Sequence, residues 1–492
     1  MARINTNIPS MIAQTNLARS NNDLATRLER LSTGLRINRG ADDPAGLIVS
    51  ERLRSELQGI DQAIDNSERA SSVIATTEGY LAEINDLLNS IKTLVVEAAN
   101  TGGVSKEEIE ANQLQIDSAL ESITRISNTA SFAGLQLLNG SLSYLTSGVP
   151  ASAIAQAEIN GAQFGANTSI PVQVEVLSSA QTAQLFLSGN TAGASGALLS
   201  SVTIEVNGNL GVQTLTFVSG RPLSAVVAAV NTVKESTGVS ASLVSAGNQT
   251  CGLVFNSIAY GSDQFVSVRK VGEGGDFFAT FDQQGGNEIQ RDEGRDVTAI
   301  VNGALATGDG LEISLNTPAL SLDLDLTAVY AQTTGVTKEF RITGGGAEFQ
   351  LGPTISSTQQ VGFGIKSVAT SRVGGTTINN TRYFLDSLKS GQMNSLVNGG
   401  AENASRILDQ AITEISSLRG RLGAFERNTL QTNIRSLQIG MENIAASESK
   451  IRDADFAAET AALTRAQILQ QAGTSVLATA NVTSQNVLAL LG

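Results

Sequence analysis

Ile468–Gly492 reads ILQQAGTSVLATANVTSQNVLALLG, and no residue after Arg465 carries a side-chain charge. Across the wider stretch Ala457–Gly492 one register runs Ala462, Ala466, Leu469, Gly473, Val476, Ala480, a 4-3-4-3-4 spacing that lays a single stripe along a helix. Gln, Asn, Ser and Thr interrupt the apolar residues too often for a bilayer span, which needs about 20 mostly apolar residues. The flanks carry too little charge for an ordinary solvated helix. Such a helix requires protein on more than one side. The other end of the chain offers a counterpart, because Leu17, Leu24, Leu28, Leu31 and Leu35 form a second stripe. Two ends that are each incomplete alone predict one coaxial pair, and then many copies packed together.

The bulk numbers remove whole classes of function. At 492 residues the chain is past the size at which single cores divide, so several domains are expected. Tryptophan and histidine are absent and aromatics are 4%, which leaves Leu, Ile, Val and Ala to build the core. Without histidine there is no His-based metal site, His general base, Ser-His-Asp triad or H-E-x-x-H zinc motif. Paired carboxylates remain chemically open, as in glycosidases, but no spacing isolates such a pair. No catalytic residue, cofactor or metal ligand is assigned, and an enzyme is not expected. With 46 acidic against 32 basic residues the net charge is −14, which argues against nucleic-acid binding. Cys251, alone in QTCGLVF, excludes an internal disulfide and reads as a half-buried strand thiol. MARINTNIPSMIAQTNLARS at the start has neither the apolar run nor the cleavage site of a signal peptide. No stretch reads as transmembrane, so export would use another route.

Along the chain, Ser10 to about Leu35 is helical by pattern, with Pro9 suited to a helix start. Gly34 and Gly40 bracket a break, and Asp42 and Asp43 beside Pro44 suit a helix N-terminus in preference to a cation site. A second helix is expected from about Ala45 to Ala99, carrying Val73, Thr77, Tyr80, Ile84, Leu87, Ile91, Leu94 and Ala98 at coiled-coil spacing. Ser105 with Glu108 is a capping box opening a third, whose buried face is Ile109, Ile116, Leu120 and Ile123. From about Ser141 apolar residues alternate between Gly, Ser and Thr. Strands are expected at Pro171–Ser179, Ser201–Gly208, Gly211–Gly220, Ser240–Ser245, Gly252–Asn256, Gln264–Lys270, Leu311–Leu315 and Leu320–Leu326, with a short helix at Leu223–Glu235. Residues 211–270 read as a small β-α-β-β module. Residues 141–370 hold 18 acidic and nine basic groups, as an exposed, turn-rich region would. Helix is expected again from about Arg382, including Phe384–Leu388. The cleanest pattern follows: Ala404, Leu408, Ala411, Ile415, Leu418, Leu422, Phe425, Thr429, with a shifted register continuing through Leu430, Ile434, Leu437, Met441 and Ile444.

These elements predict an α+β chain: a long antiparallel helical rod built from both ends, with strand-rich outer domains inserted in the middle. Long seams with little globular volume around them require partners, and self-association supplies them. Head-to-tail contacts that do not close a ring give a helical filament.

Three stretches resemble the bacterial flagellins: RINTNIPSMIAQTNL with LATRLERLSTGLRINRGADDPAGLIVSERLRSELQGI, then ASSVIATTEGYLAEINDLLNSIKTLVVEAANTG, then LRGRLGAFERNTLQTNIRSLQIGMENIAASESKIRDADFAAETAALTRAQILQQAGTSVLATAN. They cover about residues 1–140 and 400–492, and 211–270 resembles a small inserted module of that family. The resemblance implies a secreted, extracellular structural subunit that self-polymerises into the flagellar filament used as a propeller. It implies an inner coaxial pair from residues 1–44 and 457–492, bearing Leu17, Leu24, Leu28, Leu31, Leu35, Leu469, Gly473, Val476 and Ala480. The outer spoke would be residues 45–140 and 396–456, with seams Ile84, Leu87, Ile91, Leu94, Leu408, Ala411, Ile415, Leu418, Leu422 and Phe425. A variable region, 141–395, would project outward. Type III export without a cleaved signal, a chaperone on the C-terminal helix, and hook-associated junction and cap proteins as partners are also implied. Asn89, Ser90, Thr93 and Leu94 fall where relatives present an immune-receptor patch with Arg and Glu; Ser90 and Thr93 replace those charges, so a packed, non-activating helix is expected. The alternatives are a hook–filament junction protein of the same class and an added adhesin role for the middle region.

Overall fold

A computed structural model of the chain describes residues 6–165, 167–188, 196–245, 248–275, 278–378 and 381–489. Among them the helices are α1 (Ile8–Thr33), α2 (Pro44–Ala98), α3 (Lys106–Thr129), α4 (Leu223–Thr232), α5 (Lys234–Thr237), α6 (Ala328–Ala331), α7 (Ala401–Phe425), α8 (Gln431–Arg452) and α9 (Phe456–Ala489). The chain is α+β, with helices at both ends and strands in the middle. Its contacts divide it into two compact units, one of residues 1–74, 350–355 and 422–492 and one of residues 75–349 and 356–421. None of the described helices is long and apolar enough to cross a membrane.

Local chemistry sets the helix ends. The Asn7 carboxamide oxygen accepts from the Ser10 N–H at 3.1 Å and starts α1. Gly34, in the left-handed region at φ 74°, ends it. Asp43 caps α2 by accepting from the Gly46 N–H at 2.9 Å. Asp42 instead closes the preceding loop, accepting from the N–H groups of Asn38 and Arg39 at 3.0 and 2.9 Å. Those two bonds hold its carboxyl below the ordinary range. Ser105 and Glu108 form the expected capping box on α3, at 3.2 and 2.7 Å. Ile116, Leu120 and Ile123 are buried on α3, and Ile109 is half-buried.

In the second unit, eight antiparallel strands form one sheet in the order Tyr144–Ser147, Thr337–Gly345, Ile170–Ser178, Thr298–Val301, Ala304–Asp309, Glu312–Asn316, Leu320–Leu326, Ile154–Ala162. Alternate residues of these strands build its core, including Val172, Val174, Val176, Leu322, Leu324 and Phe340. Two four-stranded sheets follow. One orders Thr280–Phe281, Gln184–Ser188, Asn248–Ser257, Val239–Ser245; the other orders Arg291–Glu293, Phe265–Lys270, Val202–Gly208, Gly211–Phe217. Leu223, Val226 and Val230 of α4 bury against both, beside Leu253, Phe255, Val266 and Val268. The strands expected at Pro171–Ser179, Ser201–Gly208 and Leu320–Leu326 lie within a residue or two of those positions.

The return of helix is later than the pattern predicts. Arg382 lies in the hairpin strand Thr381–Tyr383, and Leu385–Leu388 is a single 3₁₀ turn, so α-helix resumes only at Ala401. The stretch is too short to propagate a helix, and its aromatic residues suit the hairpin. Between α7 and α8 the backbone makes a π-helical turn, Glu426–Leu430. That turn inserts one residue into the helical repeat, the physical cause of the register shift at Leu430.

Candidate functional site: the paired chain ends

Within the first unit α1 and α9 run antiparallel. Their inward positions are legible from burial. On α1 they are Ser10, Ala13, Leu17, Ser20, Leu24, Arg27, Leu31 and Gly34. On α9 they are Glu459, Leu463, Ala466, Gln470, Gly473, Leu477 and Ala480. Both follow a strict 4-3 alternation, the seam of a two-stranded coiled coil. Along it, a Cβ built on Gly473 would come within 3.3 Å of Leu17 Cδ1, so the helices approach closely there.

Polar contacts fix the register. Glu459, only 7% exposed, accepts from Arg27 at 2.8 and 3.0 Å and from Arg30 at 3.2 Å. Burial alone would raise the Glu459 pKa, but hydrogen bonds and charge from the two arginines hold it below the ordinary carboxylate value. At the far end the Asn7 carboxamide donates to the Ala480 carbonyl at 3.0 Å, and the Ser10 hydroxyl donates to Asn481 at 2.8 Å. Where both chains turn, the Arg36 N–H donates to the Arg452 carbonyl at 2.7 Å and the Ala454 N–H to the Gly34 carbonyl at 2.9 Å. Asp455 caps α9 through the N–H groups of Ala457 and Ala458.

The predicted stripes are brought together in part. Leu17, Leu24, Leu31, Leu35, Gly473 and Ala480 lie half-buried, and Ala466 is buried. Leu28, Leu469 and Val476 do not join the seam. They are 51%, 51% and 57% exposed, with Gln470 and Leu477 taking the inward places beside Leu469 and Val476. Ile8, Met11 and Ile12 on α1 and Ile468 and Val482 on α9 are exposed as well. The pair therefore presents apolar side chains outward after its own seam is closed. Glu459, Arg27, Arg30 and Asn7 went unread in the sequence; the one signal was an isolated acid on α9 and two arginines three apart on α1.

On the outer helices, Ile84, Ile91, Leu408, Ala411, Ile415, Leu418 and Leu422 are buried; Leu87, Leu94 and Phe425 are half-buried. The fully covered column of α2 is Ile74, Thr77, Leu81, Ile84, Leu88, Ile91, Val95 and Ala98. In the second unit Gln113, buried on α3, donates to the Leu388 carbonyl and accepts from the Leu396 N–H, both at 2.8 Å. That stitch also went unread, since a lone glutamine carries no pattern. Asn89, Ser90 and Thr93 are exposed and Leu94 half-buried; Ser90 and Thr93 spend their hydroxyls on the Asp86 and Ser90 carbonyls.

Residues 4–143 match the family model of the bacterial flagellin N-terminal helical region, and residues 406–491 that of the C-terminal helical region. The chain is 30% identical to the B-type flagellin of Pseudomonas aeruginosa, 29% to a flagellin of Salmonella typhimurium and 29% to flagellin B of Helicobacter pylori, covering 99% of both chains each time. Among solved structures the flagellar hook associated protein-3 of Legionella pneumophila overlays with a TM-score of only 0.32 at 14% identity, over 82% of this chain and 98% of that one. Full-length likeness to flagellins from several bacteria disfavours the junction-protein alternative. With both terminal helical regions matched and whole-chain relatives at this identity, the chain belongs to the bacterial flagellins, the extracellular structural subunits of the flagellar filament.

Proposed function

We propose that this chain polymerises through the faces of α1 and α9 that its own fold leaves bare. The observation that supports this most directly is the row of exposed apolar side chains on the paired helices, Ile8, Met11, Ile12, Leu28, Ile468, Leu469, Val476 and Val482. Full burial of one such side chain stabilises by about 1.5–3 kcal/mol, and a filament repeats that gain at every subunit. In this reading residues 1–44 and 457–492 form the inner layer, residues 45–140 and 396–456 the spoke around it, and residues 141–395 the outward-facing region. Leu28, Leu469 and Val476 then meet neighbouring copies, while Leu17, Leu24, Leu31, Leu35, Gly473 and Ala480 hold the pair within one copy. The same bare face of α9 is what an export chaperone would cover before assembly, and junction and cap proteins would meet it at the filament's ends. The subunit acts mechanically and performs no chemistry. None of Asn89, Ser90, Thr93 and the half-buried Leu94 offers a charge to a receptor.

Electron microscopy of the purified full chain, beside a chain lacking about the last 35 residues and a Leu469→Ser/Val476→Ser double variant, tests the proposal. Filaments are expected from the full chain alone. A full chain that stays monomeric at high concentration, or a double variant that polymerises normally, overturns it.

A further inference from the structure

The second unit holds a cleft of about 550 Å³ whose cations are not all used. It opens between the strand Ile154–Ala162, the turn at residues 139–144, and the segments 364–372 and 382–384. Four cations stand in or beside it, and two are satisfied. Lys366 lies 3.0 Å from Glu158 and 3.5 Å from Glu414. Arg421 lies 2.9 Å from Glu158 and 3.4 Å from Asp323, and also donates to Asn160. The other two line the cleft with donors to spare. Arg372 is exposed and pairs with no carboxylate among the described residues. Arg382 has only Asp325, at 3.6 Å, beyond hydrogen-bond reach, and its buried Nε has no acceptor. Arg421 also has a bare Nε, but its terminal nitrogens are hydrogen-bonded, whereas the Arg382 guanidinium makes no hydrogen bond to a described residue.

Arg382 is nevertheless seated. A Cβ added to Gly375 would fall 2.6 Å from its Nε and 2.8 Å from Nη2, so the guanidinium lies against a backbone that only glycine leaves clear. Its other side faces the Phe384 ring, with the centroid 5.8 Å away. A held guanidinium with an orphaned buried N–H calls for an oxyanion, since leaving such a donor unmet is costly. The rest of the wall narrows the choice. Gln156 and Asn139 offer amides, and Tyr144 and Phe384 offer rings, the mixture that holds a hydroxylated ring by its edges and faces. The neighbouring carboxylates of Glu158, Asp323 and Asp325 disfavour a doubly charged ligand.

We propose that this cleft is a binding site for a carboxylate-bearing sugar, a uronic acid, held by Arg372 and Arg382. The carboxylate takes the free N–H groups of the two arginines, and the hydroxyls take the amides. A free sugar acid and the end of an acidic polysaccharide share this chemistry.

Titration calorimetry on the full-length unpolymerised chain tests the site, with D-glucuronate, a glucuronate-ended disaccharide, D-glucose and inorganic phosphate as probes. Saturable millimolar binding of glucuronate or of the disaccharide is expected, with the tighter of the two identifying the source. Loss of a charge-assisted hydrogen bond in Arg382→Ala or Arg372→Ala should weaken it about tenfold or more. Gly375→Ala, which displaces only the end of a flexible side chain, should weaken binding with the melting temperature unchanged. Arg341→Ala, on the strand Thr337–Gly345, should bind as wild type. Glucose binding as well as glucuronate, phosphate binding more tightly, no saturable binding of either acid, or unchanged affinity in Gly375→Ala and Arg382→Ala overturns the proposal.

Discussion

Glu459, in the first turn of α9, is that helix's one acid, and the fold encloses it between two arginines of α1. A carboxylate in that position selects one alignment of the helices, because sliding by a turn would leave it buried without a cation. Glu459→Gln should cost about 1–2 kcal/mol in urea unfolding, the scale of a hydrogen bond to a charged group whose arginine partners stay partly exposed. Its pH dependence has a fixed sign. The folded pKa lies below the unfolded one. The contribution is therefore complete above the unfolded value of about 4.3 and lost as pH falls through the folded value. Wild type should lose stability faster than Glu459→Gln on acidification below about pH 4. Parallel pH profiles in chemical denaturation would contradict this.

At the scale of elements, closeness of approach decides the terminal pair. The space above Gly473 is bounded by Leu17 at 3.3 Å, so a methyl group is accommodated by a small shift of one flexible side chain. Gly473→Ala should leave filament formation intact, and Gly473→Val, which adds bulk at the crossing, should raise the critical concentration for polymerisation several-fold; equal critical concentrations would show that the helices do not need this approach. The seams also show what the sequence carried. Heptad spacing located every long helix, and Ala466, Gly473 and Ala480 on α9 and Thr77, Ile84, Ile91 and Ala98 on α2 are where the pattern put them. Most alternate positions are offset by one: Gln470 and Leu477 face inward rather than Leu469 and Val476, Leu463 is half-buried alongside Ala462, and Leu81, Leu88 and Val95 are covered more fully than Tyr80, Leu87 and Leu94. On α2 both columns are apolar, and a pattern cannot say which one a partner covers. On α9 the inward column passes through Glu459 and Gln470, so its polarity disguised it. The cleft beside Arg382 was illegible for another reason: its residues are far apart in sequence and joined only by the sheet.

On the scale of the whole molecule, a chain without histidine or tryptophan has been built from long apolar seams and alternating strands, and its terminal helices carry a surplus of apolar surface. One irregularity interrupts the returning helix ahead of α9, the π-helical turn at Glu426–Leu430. Within the first unit that turn is tied to α2 by Ser71 to Glu426 at 2.7 Å, and α8 by Asn433 to Ser67 at 3.3 Å and Arg452 to Glu51 at 2.9 Å. The turn at Glu426–Leu430 is π-helical and so holds one residue more than an α-helical turn would. Deleting Asn428, an exposed member of that turn, should restore an unbroken helix and give polymers of altered curvature or none; filaments of unchanged curvature by electron microscopy would count against it. One residue in a helix is about 100° of rotation. The turn thus works as a phase setting: if it relaxed, Ile434, Leu437 and Met441 would swing a quarter-revolution off their present bearing, and a shift of one hydrogen bond would reorient the entire face that follows.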